Sequence, residues 1–190
     1  MKNNSNLSEI KELELRMYFF TVSSLDGINK GIMCGHVALE YADKYGSDEE
    51  YIIFVREFKT WIILDGGTTN ERRDFDGVAF GSLNQIGDDL LKNDIKFAYF
   101  QEPDLNDALT AICFLADERV FNRKDYPDFV DWIIEKSGMT NEALPMIKLK
   151  TDTMEILMAE RPDDYKEWVR FVGGVKNVFL RELIKNKKLA

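Results

Sequence analysis

The sequence predicts an α/β fold: a small mixed four-stranded sheet with helices packed on it, followed by a helical extension. Three observations carry that reading. Four short runs, near 17–22, 60–64, 97–101 and 109–115, are apolar and rich in β-branched and aromatic residues. Segments of helical periodicity separate the first three, and such crossovers favour parallel pairing. The link between the last two runs is a few polar residues, too short for a crossover and suited to an antiparallel pair.

In chain order, residues 1–15 read as a polar arm, helical at most over Leu7–Leu15. It has no apolar centre and no small-residue cleavage site, so it is not expected to be a signal peptide. The run Met17-Tyr18-Phe19-Phe20-Thr21-Val22 reads as a strand covered on both faces. A turn at Asp26-Gly27 follows, and Asn29 is the expected N-cap of a helix over 30–45 closed by Gly46. Cys34, Val37, Ala38, Tyr41 and Tyr45 give that helix its buried stripe. Ser47 with Glu50 has the capping-box spacing for a second helix over 47–58. Asp65-Gly66-Gly67 stops the second strand, 68–80 is polar and irregular, and Leu83, Ile86, Leu90 and Leu91 mark a helix over 82–93. Beyond Arg119 the chain reads as helical: 126–136, 151–160, then a long apolar stripe from Tyr165 to Leu183 that Gly173-Gly174 kinks or divides. The expected organisation is an arm over 1–15, an α/β domain over 16–118 and a helical extension over 119–190. That extension must pack on the core or on a partner, a second copy included, because its stripe is too large to stay solvated.

Composition narrows the function classes. A chain of 190 residues, 45% hydrophobic and 31% charged, has room for one buried core and is not disordered in bulk. No apolar run approaches the roughly 20 residues of a membrane span, so no membrane partner is expected. Cys34 and Cys113 lie far apart in apolar runs, the pattern of reduced buried thiols, and this points to the cytoplasm. A net charge of −9 disfavours tight nonspecific binding of nucleic acid. Lys176, Arg181, Lys185, Lys187 and Lys188 nevertheless concentrate near the end of the chain, either as cations suited to a helix C-terminus or as an RNA-binding tail.

His36 is the single histidine, which with two distant cysteines excludes a conventional zinc site; no metal and no cofactor is expected. There is no G-x-S-x-G elbow, Walker loop or G-x-G-x-x-G. Gly66-Gly67-Thr68-Thr69 has the composition of either an anion cradle or a strand-ending turn. Asn29, Met33, His36 and Glu40 share one side of the first helix, where the imidazole can serve as acid, base or donor, or can simply pair with Glu40. A second polar group, Gln101-Glu102-Pro103-Asp104 with Asn106, Asp107 and Thr110, sits where one strand hands over to the next. Pro103 pushes Glu102 to an extended conformation. The loop either carries a functional carboxylate or is a polar turn with an Asx-type bond at Asp104.

Taken together, these patches resemble the type II peptidyl-tRNA hydrolases, including divergent phage-encoded members, over about residues 16–117. The family helix bears K-x-x-x-Q-x-x-H-A, and the matching stretch here is Asn29-Lys30-Gly31-Ile32-Met33-Cys34-Gly35-His36-Val37-Ala38. The later family motif, an acidic strand end followed by a strand of T-V-L-A-I character, is matched by Phe97 to Asp104 and then Leu109-Thr110-Ala111-Ile112. The resemblance implies a four-stranded mixed sheet and metal-independent hydrolysis of the ester joining a peptide to tRNA. On that basis Lys30, His36, Glu102 and Thr110 would be catalytic, with Asp104, Asn106 and Gly31 contacting substrate and tRNA as the partner. Lys30 stands one residue closer to His36 than in the family pattern, Met33 replaces the glutamine and Glu102 replaces an aspartate. The helical extension has no counterpart in the compact family enzymes. The alternative on the same fold is a non-catalytic module that sequesters a nucleotide-like ligand or a protein.

Overall fold

A computed structural model describes residues 12–138 and 153–190 of the chain. The predicted fold class holds: four strands form one mixed sheet in the order β2-β1-β4-β3, with helices on both faces. β1 (Leu15–Val22) and β2 (Thr60–Gly67) pair in parallel, and β4 (Ala108–Asp117) runs antiparallel to both β1 and β3 (Phe97–Glu102). The helical arm expected up to Leu15 falls mostly outside the described residues, and its last residue instead opens β1.

β1 is buried almost end to end because it lies inside the sheet with helices on both sides. Its alternate residues divide the core. Met17 and Phe19 pack with Met33, Cys34, Val37 and Tyr41 of helix α1 (Gly27–Tyr45), joined by Ala98, Ala111 and Cys113. Tyr18, Phe20 and Val22 pack on the opposite face with Leu83, Ile86 and Leu90 of α3 (Ser82–Lys92). Both thiols are free and fully buried as expected; burial pushes Cys34 up to about 12 and raises Cys113 as well.

Three local expectations need correction. α1 starts at Gly27, not Lys30, because the Asp26 carboxylate caps it by accepting the Asn29 N–H at 2.8 Å. Asn29 is thus inside the first turn. The second helix is not one regular unit opened by Ser47. It is α2 (Glu49–Ile53), preceded by Asp48 without a side-chain cap bond, and it widens into a π-turn over Phe54–Phe58 that Lys59 closes in the left-handed region. β2 also runs through Asp65-Gly66-Gly67 instead of stopping there.

The extension divides at Gly173-Gly174 as the sequence implies. After α4 (Glu118–Phe121) come α5 (Phe129–Ser137), α6 (Thr153–Glu160), α7 (Pro162–Phe171) and α8 (Val175–Ile184). Phe129, Ile133, Trp168 and Val172 make a satellite core of their own. Leu180 of α8 joins the α3-side core, so the extension packs on the sheet domain. Beyond α8 the tail crosses to the free edge of β2: Leu189 bridges Leu64, and Asp65 donates its N–H to the Lys188 carbonyl at 2.9 Å. The chain thereby covers one of its own sheet edges. No helix among the described residues is long and apolar enough to cross a membrane.

Candidate functional site

β1, β2 and β3 run in the same direction, so their carboxyl ends meet at one end of the sheet, where β4 begins and α1 starts. This is the place where open α/β sheets commonly bind ligands. Strand periodicity then assigns the α1 face of that end. Asp65 lies two residues beyond Ile63, Thr21 two beyond Phe19 and Glu102 two beyond Phe100, and Ile63, Phe19 and Phe100 all pack on the α1 side.

Thr110 reaches the same face by a bulge. Phe100 pairs with Ala111 but Gln101 pairs with Leu109, so Thr110 is the extra residue. Its buried hydroxyl donates to the Phe100 carbonyl at 3.2 Å and lies 3.2 Å from the Met33 sulfur on α1. Three residues further along the helix, the His36 imidazole lies flat on the Phe100 ring, centroids 4.6 Å apart and planes 15° from parallel. His36 is exposed on its other side. The result is a connected series from helix to sheet: Met33, Thr110, Phe100, His36. Glu102 follows on the same strand face, half-buried and extended at φ −85° and ψ 111° as Pro103 dictates. Its carboxylate caps the short 3-10 turn Pro103–Leu105 by accepting the Asp104 N–H at 3.4 Å. The cap thus comes from Glu102 and not from an Asx bond at Asp104. Asp104 and Asn106 are exposed in this link, and Asn106 and Asp107 both take positive φ to close it.

The turn of α1 separates residues that the sequence reading groups. Lys30 and Gly31 lie about 120° and 140° around the helix from His36. Lys30 instead acts on Asp65 at the end of β2. Hydrogen bonds from the Ser23 hydroxyl and the Gly67 N–H hold the Asp65 carboxyl below the usual range, with Lys30 and Lys187 adding their positive charge. Lys187 arrives there because the C-terminal tail is pinned along β2. The site end therefore has a histidine and carboxylate side over β3 and a lysine side over β2. Between them lies Thr21, fully buried and facing Asp65 and Ala111 in register, whose hydroxyl has no hydrogen-bond partner among the described residues.

The glycine loop resolves as structure. Ser82 at the start of α3 donates its hydroxyl to the Gly66 carbonyl at 2.8 Å and accepts the Thr68 N–H at 2.9 Å. Gly67, at φ +79°, must be glycine because a Cβ would stand 2.1 Å from the Ser82 oxygen. The N–H that an anion would need is already occupied. Among the described residues no group of histidine, cysteine and carboxylate side chains is placed to hold a metal ion.

Sequence reasoning missed Phe100, Ser23, Asp65 and Thr21. Thr21, a hydroxyl inside a strand otherwise apolar, was the legible signal. Phe100 gave none, because an aromatic in a strand reads as core. Comparison with protein-family models, with curated proteins and with solved structures gives no match.

Proposed function

We propose that the chain is a metal-independent hydrolase of the peptidyl-tRNA type, cleaving an ester between an acyl or peptide group and the ribose end of an RNA. The observation that carries this is His36, held by stacking on Phe100 yet open to solvent, with Glu102 two residues beyond Phe100 on the same strand face at the carboxyl end of the strands. An imidazole fixed on one face keeps its nitrogens available to move a proton or orient water, and a carboxylate on the same face of the sheet can help hold that water against an ester carbonyl. Lys30 and Lys187, two cations set against the single carboxylate of Asp65, are the groups that would meet a phosphate here, despite the overall charge of −9. In this reading Thr110 is a positioning residue, since its hydroxyl fixes the Phe100 carbonyl on which the stack depends.

The test is multiple-turnover release of tRNA from a diacetyl-lysyl-tRNA in the presence of chelator. Wild type should turn over, and His36→Ala should fall by about a hundredfold or more, the scale for losing a positioned acid–base group. A second reading, a non-catalytic binder on the same scaffold, draws on Met33. The sulfur sits where a polar family side chain would stand and faces Thr110. Absence of turnover, with binding of a nucleotide-like ligand weakened by His36→Ala, selects the binder.

A further inference from the structure

α1 is apolar on the wrong side as well as the right one. Its inner stripe, Met33, Cys34, Val37 and Tyr41, is buried in the sheet core. At 100° per residue, Ile28, Gly31, Ile32, Gly35, Leu39 and Ala42 fall within an arc of about 100° on the opposite side, and none of them is charged. A helix covered on one face ordinarily presents polar residues on the other. Here Ile28 is 80% exposed, Leu39 70% and Ile32 47%. A Cβ added at Gly31 or Gly35 would meet no atom within 4 Å, so packing within the described chain does not require glycine at either place. Glycine inside a helix weakens it relative to alanine, and close approach of another backbone is the usual compensation.

We propose that this strip is the interface of a symmetric dimer in which α1 of one copy packs antiparallel on α1 of another, with the two-fold axis at Gly35. The strip is self-complementary about that residue. In the antiparallel register Ile28 of one copy faces Ala42 of the other, Leu39 faces Gly31, and Gly35 faces its own equivalent. Each large side chain thus meets a small one, which lets the helices approach closely. The symmetry of the strip about Gly35 selects a second copy, and the strip carries no charge that would attract a foreign basic partner. Two chains of −9 repel over most of their surfaces, and a contact bare of ionisable groups is where that repulsion does not have to be buried, whereas a basic partner would be drawn to the acidic surface elsewhere. His36 lies at the margin of the strip, so the two candidate sites open on either side of the axis. The dimer stands independently of the hydrolase reading.

Sedimentation equilibrium of the full chain, from low into high micromolar concentration, is the test. The expected mass tends to twice 22.0 kDa, and Leu39→Lys and Ile28→Lys each return the protein to monomer while circular dichroism stays unchanged, since both positions are exposed. Gly35→Cys, oxidised in solution, links two chains covalently because equal positions meet at the axis. A wild-type chain that stays monomeric throughout overturns the proposal. So does a dimer that survives both lysine substitutions, and a dimer whose Gly35→Cys form cannot be linked overturns the antiparallel register.

Discussion

The two ends of the sheet treat their polar residues in opposite ways. At the end where β4 finishes, the polar groups are locked together. Asp117 accepts bonds from the Arg119 guanidinium at 2.7 and 3.0 Å and from the Asn177 amide, which also donates to the Val172 carbonyl at 2.9 Å. Nearby, Arg181 is 1% exposed and donates to the Arg119 and Tyr126 carbonyls and to Asp128 at 2.7 Å. Arg123 bonds the same carboxylate oxygen and the Arg181 carbonyl. At the other end His36, Asp104 and Asn106 are exposed and Glu102 is half-buried. Polar groups whose partners lie within the chain hold the extension on the domain, and those left open are the ones with capacity for a ligand.

That contrast can be broken most forcefully at Arg181. Arg181→Leu should destabilise the protein by about 2–4 kcal/mol, because it leaves the Arg119 and Tyr126 carbonyls without their donor, while Asp128 keeps Arg123. Urea denaturation measures it, and a loss below about 1 kcal/mol would mean the lock is ornamental. Next comes Gly67→Ala, expected to cost about 1–3 kcal/mol through the left-handed backbone and the clash with Ser82. If it is instead neutral, the close seating of α3 on the β2 end is wrong.

Asp117 gives a pH signature. Burial alone would raise its carboxyl, but the bonds from Arg119 and Asn177 outweigh that and hold it below the usual range. Its folded pKa is below its unfolded one, so its contribution is fully present above the ordinary carboxylate range and is lost as pH falls from about 4 through the depressed value. Urea midpoints from pH 7 to pH 3 should therefore fall more steeply for wild type than for Asp117→Asn. Parallel curves would show the carboxylate to be unperturbed.

At the open end the effects on stability shrink. Thr110→Val removes the bond to the Phe100 carbonyl and should cost about 1 kcal/mol. His36→Ala loses only one face of ring contact and should cost less than about 1 kcal/mol, while lowering the proposed turnover about a hundredfold. A large loss of stability in His36→Ala would make the histidine structural and erase the contrast between the two ends.

The sheet was legible in the sequence because its strands are compact apolar runs between unambiguous helical spacers. Gly173-Gly174 announced the break between α7 and α8. Less legible were features that depend on geometry between distant segments. Asp26 displaced Asn29 as cap because an Asp-Gly turn and an Asp cap look alike in sequence. The bulge that turns Thr110 toward α1 cannot be read from alternation, since it breaks alternation. Lys30 was read as the match to the family lysine, but it lies about 120° around α1 from His36 and its charge acts on Asp65 of β2. Likewise the C-terminal lysines read as a helix C-terminus or an RNA-binding tail, and neither reading foretold that residues 188–190 pair with the edge of β2.

The central claim is that ligand chemistry belongs to the end of the sheet where β1, β2 and β3 finish. Amide NMR of the isotope-labelled protein, titrated with a non-hydrolysable 3′-amide analogue of a peptidyl-adenosine, tests it most directly. The largest saturable shifts should fall at His36, Phe100, Glu102 and Thr110, with smaller ones at Lys30 and Asp65. Shifts concentrated at Asp117, Arg119 and Asn177, or none at the highest ligand concentration, would contradict it.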